Sequence, residues 1–155
     1  LIIFFSVELS RKEISMGVII KERDFYSEKQ EGLMKPIIYC ASIDKVEKKA
    51  VSINVNLAEK LMKFQPNRRT MQLEQCFNQV LNTLPDEVTI KDFDVMFNPK
   101  YQVDIIKIMI TTYRKKPFSI IWPGKFVDGK LVYAEEGYSD YKVFNVENYD
   151  VTCIV

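Results

Sequence analysis

Gly124-Lys125-Phe126-Val127-Asp128-Gly129-Lys130-Leu131 comes within one residue of the phosphate-binding pattern G-x-x-x-x-G-K-[ST]. In such a loop, backbone amides cradle phosphates, the lysine reaches them and the hydroxyl binds magnesium. Here the spacing holds through Lys130, but Leu131 stands where the hydroxyl should be. The next residues, Leu131-Val132-Tyr133-Ala134, read as a strand, whereas the loop must open a helix whose amino end faces the phosphates. Asp128-Gly129 between two apolar runs instead predicts a β-hairpin. The chain has five glycines, and no other pair has the required spacing.

Two aspartates are the next candidates. Asp92 and Asp94 follow the predicted strand Val88–Ile90. An acid at a strand's end can hold magnesium through water, and ligands of open α/β sheets sit outside the carboxyl ends of the strands. Asp92 and Asp94 are therefore candidate nucleotide-site residues, with Asp92 the candidate metal ligand. Without a phosphate loop, a solvated acidic loop is the simpler reading. Arg68-Arg69 and Arg114-Lys115-Lys116 could meet nucleic-acid phosphates. Neither run interleaves with aromatics, so solvated loop and helix-end charges explain them more simply. No catalytic residue is assigned. The chain has no histidine, which removes the commonest general base and transition-metal ligand. Cys40, Cys76 and Cys153 lack C-x-x-C spacing and are expected to be reduced, buried thiols of a cytoplasmic protein.

Those residues must be carried by a fold of limited size. A length of 155 residues points to one domain; 47% hydrophobic and 28% charged residues make an ordinary globular balance. A net charge of +1 gives no global attraction to nucleic acid or membrane. The apolar run Leu1 to Phe5 is too short to cross a bilayer, so a soluble protein with no membrane partner is expected.

Residues 1–34 form a poorly specified N-terminal segment, with one strand expected near Met16 to Ile20. Residues 35–155 read as a single α/β domain. Ile37 to Cys40 and Val51 to Val55 suit strands, and Ser42 could cap a short helix through Lys49. Asn56 is placed to cap a helix from Leu57 to Phe64. Leu73, Cys76, Phe77, Val80, Leu81 and Leu84 share one face of a second helix, and Val103, Ile106, Ile110 and Tyr113 mark a third. Phe118 to Trp122 suits a strand buried on both faces. Leu131–Ala134, Tyr141–Val146 and Val151–Val155 are expected as antiparallel C-terminal strands at one edge. Trp122 is expected in the core; Met62, Met96 and Met109 are expected to fill packing gaps. The alternation predicts a mostly parallel sheet with flanking helices.

Three stretches carry a family resemblance: Ile53-Asn54-Val55-Asn56-Leu57-Ala58-Glu59-Lys60-Leu61-Met62 with Pro66 and Arg69; Asp92-Phe93-Asp94-Val95-Met96-Phe97-Asn98-Pro99; and Trp122-Pro123-Gly124 with Gly129-Lys130-Leu131-Val132-Tyr133-Ala134-Glu135 and Gly137-Tyr138-x-x-Tyr141. Together, over roughly Val51 to Val155, they resemble the small P-loop-containing BrxF family of type III bacteriophage-exclusion (BREX) systems. The resemblance implies a P-loop NTPase-like fold, ATP with magnesium as cofactor, and other BREX proteins as partners in phage defence.

The departures are specific. Family members carry a glycine-rich phosphate loop before the Asn-Val-Asn-Leu stretch, where this chain has Lys35 to Lys49 with no glycine. The family's magnesium-binding aspartate falls on Lys91, with Asp92 one residue on; Asp94 matches an acidic family position. Either the N-terminal part is degenerate or frameshifted, or the chain is a divergent member that kept the scaffold and lost ATP. Three readings follow: a non-hydrolysing BREX scaffold without cofactor that binds partner proteins, a weak or partner-dependent ATPase using Asp92 and Asp94, and a nucleic-acid-binding module using Arg68, Arg69, Arg114, Lys115 and Lys116.

Overall fold

In the computed structural model, residues 17–25, 33 and 35–155 are described. In chain order the elements are β1 (Val18–Ile20), α1 (Glu22–Phe25), β2 (Ile37–Tyr39), α2 (Asp44–Lys49), β3 (Val51–Ser52), α3 (Asn54–Met62), α4 (Arg69–Asn82), β4 (Val88–Lys91), α5 (Ile105–Lys115), β5 (Phe118–Ile121), β6 (Lys125–Val127), β7 (Lys130–Tyr133), β8 (Lys142–Asn145) and β9 (Thr152–Ile154). Six strands form a parallel sheet in the order β1-β9-β2-β5-β4-β3; β6-β7-β8 form a separate antiparallel sheet. The chain is thus α/β, with a mostly parallel sheet, flanking helices and a small antiparallel addition.

Right-handed crossovers assign the helices to faces. The steps β1 to β2 to β3 run one way across the sheet, and β3 to β4 to β5 run back. This places α1 and α2 on one face and α3, α4 and α5 on the other. The two apolar clusters agree. Ile38, Leu57, Leu73, Phe77, Ile90, Ile106, Ile120 and Cys153 belong to the larger one; Ile20, Phe25, Ile37, Ile43 and Ile154 form the smaller one. The expected apolar face of α4 is buried from Leu73 to Leu81, with Leu84 half-buried beyond the helix end.

Several expectations change. β9 does not join antiparallel strands at an edge: it lies inside the main sheet, parallel to both β1 and β2. β3 is only two residues long, because Ile53 donates its N–H to Lys91 O (3.1 Å) and the chain turns into α3 at Asn54. Asn56 therefore lies inside α3, exposed, and caps nothing. Ser42 does not cap α2; its hydroxyl donates to Glu47 Oε1 (3.3 Å), and Ile43 holds the cap position. β5 is buried on one face and half-buried on the other. Met96 and Met109 are buried, but Met62 is 71% exposed and fills no gap. Of the expected strand near Met16 to Ile20, Val18–Ile20 is seen as β1, and Met16 lies outside the described residues.

Candidate functional site

Asp92 sits immediately beyond β4, in the left-handed backbone region at φ 51°. With Lys91, Glu47 of α2, Ile121 at the end of β5 and Pro123 just beyond it, it lines a cavity of about 280 Å³ at the carboxyl ends of the central strands. This is the position at which an open α/β sheet offers a ligand site.

The loop that would have to meet a phosphate there is Cys40–Ile43, between β2 and α2. Its first two amides are already engaged: Cys40 and Ala41 both donate to Ile154 O, at 2.8 and 3.1 Å. The first turn of α2 carries Asp44 and Glu47. Carboxylates there oppose the attraction of an anion to a helix amino end. The residues present do not fit the phosphates of ATP.

Asp94 is not beside Asp92 in that cavity. It begins the 3-10 turn Asp94–Phe97 and interacts with Tyr133. Burial, then the charges of Asp94 and Asp140 and the hydrogen bond to Asp94, push the Tyr133 phenol up to about 12. The structure thus separates the two candidate acids. Among the described residues, no group of three or more His, Cys, Asp or Glu side chains could hold a metal ion.

The three stretches that carry the resemblance meet one another. Asn54 Oδ1 accepts the N–H of Val95 (3.0 Å), joining the first to the second. Phe93 lies 6.4 Å from Trp122, and Phe97 stacks on Tyr133 with ring centroids 3.8 Å apart and planes 13° apart, joining the second to the third. Trp122 Nε1 donates to Val132 O (3.1 Å), and Phe144 of β8 lies edge-on to Trp122 at 5.9 Å. Aromatic pairs in such geometries add about 0.5–1.5 kcal/mol each beyond area burial. The result is a buried joint that fixes the small sheet to the large one. Trp122 is in the core as expected.

The near-match at Gly124–Leu131 is a hairpin. Asp128 and Gly129 have φ of 49° and 75°, as a two-residue turn with both central residues left-handed requires. β6 pairs with β7 across it, from Val127↔Lys130 to Lys125↔Val132.

The basic candidates are not one surface. Arg69 is half-buried, and its Nε donates to Leu61 O and Phe64 O, both at 3.1 Å, closing the end of α3. Lys116 Nζ donates to Leu84 O. Arg68, Arg114 and Lys115 are exposed. Arg68 and Arg69 stand at the start of α4; the Lys116–Leu84 contact puts Arg114 to Lys116 at its other end. Fourteen helical residues separate the two groups by roughly 21 Å.

Two relationships had no local signal in the sequence. Cys40 directly follows β2, beside Cys153 of the neighbouring β9, and the Cys153 thiol is raised far above its usual range by a hydrogen bond with Cys40 and by burial. Asp104 caps α5 by accepting from Lys107 N (3.2 Å) and also accepts from Tyr149 Oη (2.7 Å). The Ser/Thr/Asp/Asn preference at helix starts could have found the cap, but the tyrosine lies 45 residues away. Among the described residues, no helix is long and apolar enough to cross a membrane. Comparison of the chain with family models, curated proteins and solved structures found no match.

Proposed function

We propose that this chain is a P-loop NTPase-like scaffold that does not hydrolyse nucleotide and acts by binding partner proteins, in a BREX-type phage-defence system. The observation that carries the first part is the state of the β2–α2 loop. Its Cys40 and Ala41 amides are committed to Ile154 O, and acids occupy the first turn of the helix that follows. A phosphate there would find the loop's first two amides taken and a repulsive field from Asp44 and Glu47. The BREX part rests on the sequence resemblance, and the interlocking of its three stretches supports a retained scaffold. Their aromatic side chains join two sheets, while only Asp92 and Pro123 of these stretches line the carboxyl-end cavity.

A partner-dependent ATPase is the second reading, and Asp92 at the carboxyl-end cavity favours it. Asp94 does not, since it interacts with Tyr133. A DNA-binding module is less favoured, because its basic groups stand at opposite ends of α4. Phosphate release, measured for the chain alone and mixed with other BREX proteins, separates the first two readings. The scaffold reading expects no stimulated turnover attributable to this chain. Turnover abolished by Asp92→Ala would replace it with the second.

A further inference from the structure

The small sheet β6-β7-β8 has an unusual outer face. Its inner face carries Phe126, Leu131, Tyr133 and Phe144, which pack into the larger cluster. Side chains alternate along a strand, so the outer face should be polar if water covers it. The register gives two cross-strand rows there: Lys125–Val132–Val143 and Val127–Lys130–Asn145. Three of the six are valines; Val127 is 48% and Val143 44% exposed. The charged members are both lysines, and both are exposed. A cleft of about 320 Å³ opens beside the first row, lined by Pro123, Gly124, Lys125, Val132, Ala134 and Glu135. β6 and β8 each have one edge that no described strand pairs.

From this juxtaposition we propose that the outer face of β6-β7-β8 docks an extended, acidic partner segment in which aliphatic and acidic residues alternate. The aliphatic side chains cover Val127, Val132 and Val143, and the carboxylates meet Lys125 and Lys130. Charge selects this occupant over a second copy of the chain, since two copies face to face would set lysines against lysines. The rows themselves hold no carboxylate; Glu135 in the cleft and Glu147, which accepts from Asn145 Nδ2 at 3.1 Å, stand at the margins of the face. Presentation of alternate side chains to one face is what an extended segment provides. This assignment rests on the partner-binding reading above and names its surface.

The single tryptophan makes the test direct, because Trp122 donates to the carbonyl of Val132 from behind the face. The probes are two synthetic peptides, one of alternating glutamate and valine and one of alternating lysine and valine, titrated into the full chain while tryptophan emission is followed. The glutamate peptide should give a saturable change and the lysine peptide none. Val143→Asp should weaken the glutamate peptide about tenfold or more. Lys130→Glu should weaken it likewise and admit the lysine peptide, and both variants should keep the native circular dichroism. If Val143→Asp unfolds, Lys130→Glu alone decides. No response to the glutamate peptide, an equal response to both peptides, or folded variants with unchanged affinity would overturn the proposal. So would a concentration-dependent dimer dispersed by the variants, which would give the face to a second copy. Failure here leaves the scaffold reading standing if magnesium–ATP is still neither bound nor hydrolysed; observed turnover sinks that reading whatever the peptides do.

Discussion

Tyr149 Oη donates to Asp104 Oδ2 at 2.7 Å, and the other oxygen of the same carboxylate caps α5 by accepting from Lys107 N at 3.2 Å. One side chain therefore starts the helix that leads into β5 and also anchors the turn that delivers the chain to β9. Tyr149→Phe should cost about 1.5–3 kcal/mol, the range of a hydrogen bond to a charged group. Asp104→Ala should cost more, since it loses the cap as well. Urea unfolding of both single variants and the double variant measures the coupling, and strict additivity would mean that the two residues do not cooperate.

Tyrosine ionisation sets an alkaline limit. Burial, then the hydrogen bond and charge of Asp104, raise the Tyr149 phenol, and Tyr133 is pushed up to about 12. In the unfolded chain both ionise near pH 10. Above that pH the unfolded state binds fewer protons than the folded state, so stability falls as pH rises. The contribution is complete below pH 10 and is lost as pH climbs through about 12 for Tyr133. Unfolding midpoints measured stepwise through this window should decline, and Tyr133→Phe should remove part of the slope.

Gly124 explains why glycine follows Trp122-Pro123. A Cβ at this position would lie 1.9 Å from Val132 O and 3.0 Å from Trp122 Nε1, at the bond that ties the hairpin to the sheet. Gly124→Ala should therefore destabilise the chain by about 1–3 kcal/mol and shift tryptophan emission. Gly137→Ala is the contrast. Its φ is 95°, but nothing lies within 4 Å, so only backbone strain applies and emission should not move.

Adjacent arginines should behave differently. Arg69→Ala removes a charged donor from two carbonyls at the end of α3 and should cost about 1–3 kcal/mol. Arg68 is exposed, and Arg68→Ala should change stability by no more than about 0.5 kcal/mol. Thermal unfolding distinguishes them. Equal effects would contradict the capping role.

Much of the frame was legible because its signals are local. The apolar face of α4 repeats at helical spacing, and Asp128-Gly129 needs only two residues to specify a turn. The position of β9 was not legible: period-two alternation says that Thr152–Ile154 is a strand but not which strands flank it, and its partners lie more than a hundred residues earlier. The site divided in the same way. Asp92 could be read from its place after a strand, and the lack of a phosphate-loop pattern from the spacing of five glycines. The Asp94–Tyr133 and Asn54–Val95 contacts join residues about forty apart, so no spacing rule announced that the candidate acids would part. Asn56 misses the cap position because the helix already starts at Asn54, two residues earlier.

At the β2–α2 loop a nucleotide phosphate meets two engaged amides and two carboxylates. Calorimetric titration of the full chain with magnesium–ATP should therefore give no saturable heat at micromolar to millimolar nucleotide. Stoichiometric binding at micromolar affinity, weakened by Asp92→Ala in a folded variant, would contradict it.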